Sequence, residues 1–177
     1  MGREVRMVPP DWQHPTRFVK GWRTPNPELR FKPLFDGDFA TQLAEWEEHK
    51  AAWDRGEVRD YGTNGWKPRD GHEGDSFDEW YGTRPEAFDY MPSFPAGTAT
   101  HLMMYETTSE GTPISPAFAT PEELARWLAD NNASAFGGEG ATYEQWLHMA
   151  RGGWAPSMVM VGGAMQSGVA AMADLSK

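Results

Sequence analysis

THLMMYETTSEGTPISPAFATPEELARWLADNN, residues 100–132, carries the pattern that decides the fold of this chain. Alternation through THLMMYETTS predicts a strand, with His101, Met103 and Tyr105 on one face and Leu102, Met104 and Glu106 on the other. EGTP reads as a turn and ISPAFA as the return strand of a hairpin. The period then changes from two to 3.6. Thr120 is placed as an N-cap, Pro121 at the first helical position and Glu123 as the partner in a capping box, while Leu124, Trp127 and Leu128 form one buried stripe. With 19 glycines and 14 prolines breaking the chain often, this stretch fits a mixed fold of short elements with much loop,.

Reading outward confirms mixed, short elements. On the C-terminal side, TYEQWLHMARGG predicts a helix capped by Thr142 and Gln145 and ended by Gly152, with Trp146 and Met149 or Ala150 inward. WAPSMVMVGGAMQSGVAAMADLSK then predicts a strand over Met158–Val161, a Gly162-Gly163 turn and a small-residue helix from about Ser167. On the N-terminal side, DGDFATQLAEWEEHKAAWDRG places Phe39, Leu43, Trp46 and Trp53 on one helical stripe, with Asp36 or Asp38 as cap and Gly56 just beyond the end. Residues 57–75 read as a charged, glycine-dense loop, SFDEWYG as a capped turn of helix through Ser76 and Glu79, and RPEAFDYM as a second short helix. EVRMVP predicts a strand stopped by Pro9 and Pro10. Residues 11–35 show no sustained period and read as an extended arm that packs by its rings. The expected fold is α+β: a small, mostly antiparallel sheet covered by about three helices, with a long aromatic-rich N-terminal arm.

A length of 177 residues favours one domain, 1–177,. It divides by composition into a basic Pro/aromatic arm (1–35), an acidic body (36–150) and an apolar Gly/Met-rich segment (151–177). The absence of cysteine excludes disulfides, thiolate metal sites and a cysteine nucleophile, and fits a reducing cytoplasm,. No stretch reaches the length and apolarity of a membrane span, so no membrane association is expected. The net charge is −10, and the arm carries +4 and the C-terminal segment +1, which leaves −15 in residues 36–150. Such a field repels nucleic acid and attracts basic surfaces, so the expected partner is a protein and not DNA or RNA.

Candidate sites follow from that charge. The carboxylates Glu45, Glu47, Glu48, Asp70, Glu73, Asp75, Asp78 and Glu79 are the expected partner-binding surface. A rival reading puts catalysis or nucleotide binding in a pocket of His101, Ser109, Glu110 and Glu139, with the FGGEGAT loop before Thr142 offering backbone N–H groups to an anion. That loop has no lysine, and Glu139 would repel a phosphate. Hydroxyls in a Ser/Thr/Gly-rich turn more often bond to local backbone than act as nucleophiles. The five histidines form no close metal-ligand pair, and DGHEGD (70–75) lacks EF-hand spacing, so no metal or cofactor is expected. Met158, Met160, Met165 and Met172 are expected in the core or in self-association, the latter making a homo-oligomer.

The segment YETTSEGTPISPAFATPEELARWLADNNASAFGGEGATYEQWL, the GGWAPSMV block, the opening VRMVPPDWQHP and KPLFDG resemble a family of small proteins encoded by tailed bacteriophages and prophages. The similarity covers most of the chain. It implies an accessory protein acting in the cytoplasm of the infected bacterium, and no activity. Some longer relatives carry a Cys-rich, zinc-like insert in the middle; this chain has no cysteine there, so a metal role is not carried over. With the acidic body, the resemblance leads to the expectation of a non-catalytic protein that binds a basic host surface, for example an inhibitor of a nucleic-acid-handling defence complex. A virion or assembly component is the third reading.

Overall fold

The computed structural model describes residues 2–20, 26–71 and 74–174. In chain order the elements are β1 (Gly2–Val8), β2 (Thr16–Val19), β3 (Glu28–Phe31), α1 (Phe39–Asp54), β4 (Glu57–Asp60), β5 (Gly65–Pro68), α2 (Phe77–Tyr81), β6 (His101–Glu106), β7 (Thr112–Pro113), α3 (Pro121–Asp130), α4 (Tyr143–Gly152), β8 (Trp154–Pro156), β9 (Met158–Val161), β10 (Ala164–Ser167) and α5 (Gly168–Asp174), with a 3-10 turn at Ala87–Asp89. The α+β class is therefore as expected. The division of the chain is not: it forms two compact units, residues 1–34 with 94–177, and residues 35–93. The boundaries at 35 and 150 drawn from charge mark only the first of these junctions.

In the larger unit, β7, β6, β1 and β8 form one sheet in that order, with every pairing antiparallel. Register assigns the faces. Val5 lies opposite Met104 and Arg3 opposite Ala155 and Glu106, so these residues share one face; Arg6 opposite Met103 and Glu4 opposite Tyr105 share the other,. The first face carries the apolar core, in which Met104 and Ala155 pack with Leu124, Leu128, Trp146, Met149 and Val169 of α3, α4 and α5. Each such large side chain fully withdrawn from water contributes about 1.5–3 kcal/mol. The caps are as read, with two adjustments. Thr120 and Thr142 accept from Glu123 and Gln145 N–H, but the Glu123 carboxylate reaches back to Ala119 rather than to Thr120, and the left-handed residue ending α4 is Gly153 rather than Gly152.

The arm contains a hairpin, β2 with β3, where an irregular loop was expected. Its strands are exposed along nearly their whole length, so neither face needs apolar alternation and no period showed in the sequence,. The turn between β6 and β7 spans Thr107–Gly111 rather than EGTP, and the return is interrupted: pairing at Thr112–Pro113 resumes only at Phe118 opposite Leu102. Gly162 and Gly163 make the expected turn but join two strands, β9 and β10, before Ser167 caps α5 by accepting from Ala170 N–H. Met160 and Met165 on that hairpin are exposed at 72% and 63%, which removes them from the core; Met172 packs against it.

In the smaller unit, Asp38 caps α1, and Trp53 is buried while Leu43 and Trp46 are half-buried. Residues 57–68, read as loop, form the hairpin β4–β5. Asp60 holds its turn by accepting from Gly62 N–H (3.1 Å) and Thr63 Oγ1 (2.7 Å), and Asn64 takes a positive φ of 60° before Gly65,. The expected capping box of Ser76 and Glu79 opens α2, whereas RPEAFDYM yields only the 3-10 turn. None of the helices among the described residues is long and apolar enough to cross a membrane.

Gly111 tests the packing of the larger unit. Its φ is +91°, Leu34 N–H donates to its carbonyl, and a Cβ there would overlap Leu34 O and the Arg6 guanidinium. Gly111→Ala is expected to cost about 2–3 kcal/mol, on the order of 5–10 °C in Tm, from a left-handed alanine combined with backbone overlap. Thermal unfolding followed by circular dichroism measures it.

Candidate functional site

The polar face of the main sheet is covered by the N-terminal arm, and their junction forms a cavity of about 470 Å³. That is within the range of small-molecule pockets. Trp12, His14 and Phe31 come from the arm, Met103 and Ser115 from the β6 hairpin, and Trp127 from α3, with Pro10, Pro113 and Pro116 stiffening the wall. The prolines either side of the aromatic residues hold the arm extended, because each fixes its own φ and biases the preceding residue away from helix.

A connected set of hydrogen bonds lies behind this wall. His14 is buried, with Nε2 2.7 Å from Lys32 O and Nδ1 3.1 Å from the Tyr105 hydroxyl. A carbonyl only accepts, so Nε2 carries the proton and Nδ1 accepts from Tyr105. Trp12 Nε1–H donates to the same hydroxyl at 3.3 Å. Beneath them Arg6 donates to Leu34 O at 2.7 Å, pairs with Glu4, and lies 4.4 Å from the centre of the Tyr105 ring. Burial pushes the His14 pKa below its ordinary value; its bond to Lys32 O opposes this and the Arg6 charge adds to it. Burial likewise raises the Tyr105 phenol. At neutral pH the site thus presents a neutral imidazole and a neutral phenol, each already engaged. Ser115 Oγ accepts from Met104 N–H (2.9 Å) and donates to Pro116 O (2.8 Å), replacing the missing strand partner where the hairpin is interrupted. The arrangement suits an apolar or planar group held against rings, and it pairs no nucleophile with a base.

The rival pocket of His101, Ser109, Glu110 and Glu139 is not assembled. His101 opens β6, and Ser109 and Glu110 lie in the turn beyond its other end, a six-residue strand or roughly 20 Å away,. His101 lines an open groove with Phe118, Arg126 and Trp127, while Glu139 lines a separate one with Phe136, Met158 and Met165. Ser109 bonds to Thr112 and Glu106 O within its own turn, and Glu110 has a positive φ of 59°. The FGGEGAT loop closes on itself: Ala135 and Glu139 N–H donate to Glu139 O and Phe136 O, and Gly138 N–H to Ser134 Oγ. Those N–H groups are turned inward and do not form an anion cradle.

The acidic set is exposed. Glu45, Glu47 and Glu48 stand on α1, Asp78 and Glu79 on α2, and Asp70 and Asp75 on the segment between β5 and α2; Glu73 lies outside the described residues, as does His72. Glu47 makes a surface pair with Arg84 (3.3 Å). Bonds from Ser76 hold the Glu79 carboxyl below its usual range. Glu45 and Glu48 both act on Tyr81, whose pKa is pushed up to about 12 chiefly by burial and then by these charges. Among the described residues, no group of three His, Asp or Glu is placed to hold a metal ion. Comparisons with protein-family models, with curated proteins and with solved structures find no match to this chain.

His14 supplies a pH signature. Its folded pKa lies below the 6.5 of the free side chain, so on acidification the unfolded chain takes up the proton first,. The stability contribution is complete above about pH 6.5 and declines as pH falls toward the folded value. Between pH 7 and 5.5, urea unfolding should show stability dropping by at most about 1.4 kcal/mol per pH unit, and His14→Gln should flatten that slope. Equal slopes in the two proteins would remove His14 as the source.

Proposed function

We propose that the protein acts by binding, with the acidic face of residues 35–93 meeting a basic surface on a host protein. The observation that carries this reading is charge placement: that unit has fifteen acidic against six basic residues, a net of −9, and the carboxylates expected from sequence that lie among the described residues are all exposed. α1 fixes Glu45 and Glu48 three residues apart, on one side of a rigid element, so the field is organised and not averaged over a loose chain,. In the setting implied by the phage resemblance, the partner is a nucleic-acid-handling complex in the cytoplasm of the infected bacterium. A defence effector with a basic channel for DNA offers the complementary surface.

Electrostatic association of this kind weakens steeply with salt. Immobilised protein should retain a host partner at low ionic strength and release it as salt rises through the physiological range. The triple substitution Glu45→Gln, Glu47→Gln and Glu48→Gln should lower affinity by about tenfold or more, with Tm little changed because the Glu47–Arg84 pair is exposed and worth less than about 1 kcal/mol. If wild type and variant retain the same proteins, or if wild type retains none at low salt, the proposal fails.

A further inference from the structure

The cavity between the N-terminal arm and the β6 hairpin has no Asp, Glu, Lys or Arg in its wall, and its one imidazole has both nitrogens engaged. Its rings are engaged as well. Trp12 and Phe31 meet His14 edge-on, with 6.4 and 5.6 Å between ring centres, so they offer a ligand apolar surface and little selectivity. Selectivity must come from the backbone of residues 113–117, which forms another part of the same wall.

That backbone is the edge of the main sheet where the hairpin is interrupted. Ile114 N–H donates to Met104 O (2.8 Å) and Phe118 N–H to Leu102 O (2.9 Å), which ties both ends of the interruption to β6. Between them, the main-chain N–H and C=O of Ser115 and of Ala117 have no partner among the described residues, although Ser115 is only 7% exposed. Buried main-chain groups are paired in more than about nine cases of ten, so an unpaired set beside a cavity marks a place for the donor and acceptor of a ligand. A further strand does not fit this edge, because Pro113 and Pro116 interrupt the row of donors that strand addition requires,.

The group that answers a donor and an acceptor together is a cyclic amide, whose N–H and C=O lie side by side on one edge of a ring. A carboxylate would answer only the donors, and would bury its charge against a wall without a cation,. We propose that this cavity binds a small, neutral, planar ring system bearing a cyclic amide, its amide edge bonded to the backbone of Ser115 and Ala117 and its body against Trp12, Phe31 and Met103. The volume of about 470 Å³ admits a molecule of two fused rings,. The site belongs to the larger unit and does not depend on the acidic face of residues 35–93 engaging a host protein.

Equilibrium dialysis against the full chain tests this with 2-quinolone, with its N-methyl derivative, which keeps the carbonyl and lacks the donor, with quinoline, which lacks the amide, and with quinoline-2-carboxylate. 2-Quinolone should bind at least about fivefold more tightly than each of the other three. Ala117→Pro deletes an N–H that donates to nothing among the described residues, and should narrow the preference for 2-quinolone over quinoline to about twofold or less, with thermal unfolding checking that the fold is kept,. Phe31→Ala, at a position 49% exposed, should weaken 2-quinolone and quinoline alike,. Equal binding of 2-quinolone and quinoline to the wild-type protein would show an apolar cavity without amide recognition, and tighter binding of the carboxylate would show an anion site. Either result, or no binding of 2-quinolone, overturns the proposal.

Discussion

Everything on the polar face of the main sheet depends on how the Arg6 charge is held. A buried guanidinium carries a desolvation cost of several kcal/mol unless its donors and its charge are met. Here they are met at once by Glu4 on the same strand, by the carbonyl of Leu34 and by the face of Tyr105. The partner at Leu34 lies at the far end of the arm, so satisfying Arg6 also fixes where the arm must return. Tyr105, held under Arg6, directs its hydroxyl to His14, and His14 in turn holds Lys32 O. One charge on β1 thereby anchors the arm on either side of its hairpin, at His14 and at Lys32 and Leu34.

The two faces of the sheet were unequally legible. The helical face could be read because its stability comes from periodic burial: Leu124, Trp127 and Leu128, then Trp146 and Met149, repeat at helical spacing and their caps are local. The alternation around Tyr105 likewise gave the right faces for His101 through Glu106. The arm could not be read, because what orders it is long-range polar satisfaction between residues 6, 14, 32, 34 and 105, and no window of sequence contains that relation. Its hairpin strands are exposed, so they leave no apolar signature. The β4–β5 hairpin was a different failure. Its Asn64-Gly65 pair and the alternation of EVRD were visible, but the charge and glycine density of residues 57–75 outweighed them.

For candidate sites the same division applies. Exposure of the acidic residues followed from composition, since a carboxylate without a buried partner stays in water. The hydroxyl-rich stretch after Tyr105 proved to be turn chemistry, with Ser109 and Ser115 spent on neighbours in the chain. His14 was one of five histidines with nothing local to distinguish it. The only sequence signal was its place in PPDWQHP, where flanking prolines restrict the chain and leave an imidazole and an indole projecting from a stiff segment.

In the smaller unit, rings and basic side chains together hold an acidic segment compact. Its buried hydrophobic residues, among those described, are Ala52, Trp53 and Phe77, a small core for a segment with a net charge of −9. Self-repulsion at that charge opposes compaction. Lys50, Arg59 and Arg69 lie over Phe77, Trp66 and Trp53, where each covers apolar surface and brings positive charge inside the acidic field,. Each cation–ring contact forms only in the folded unit, so it offsets part of that repulsion where the chain is compact,. The composition that limits the core of residues 35–93 is thus the composition that gives them their negative field,.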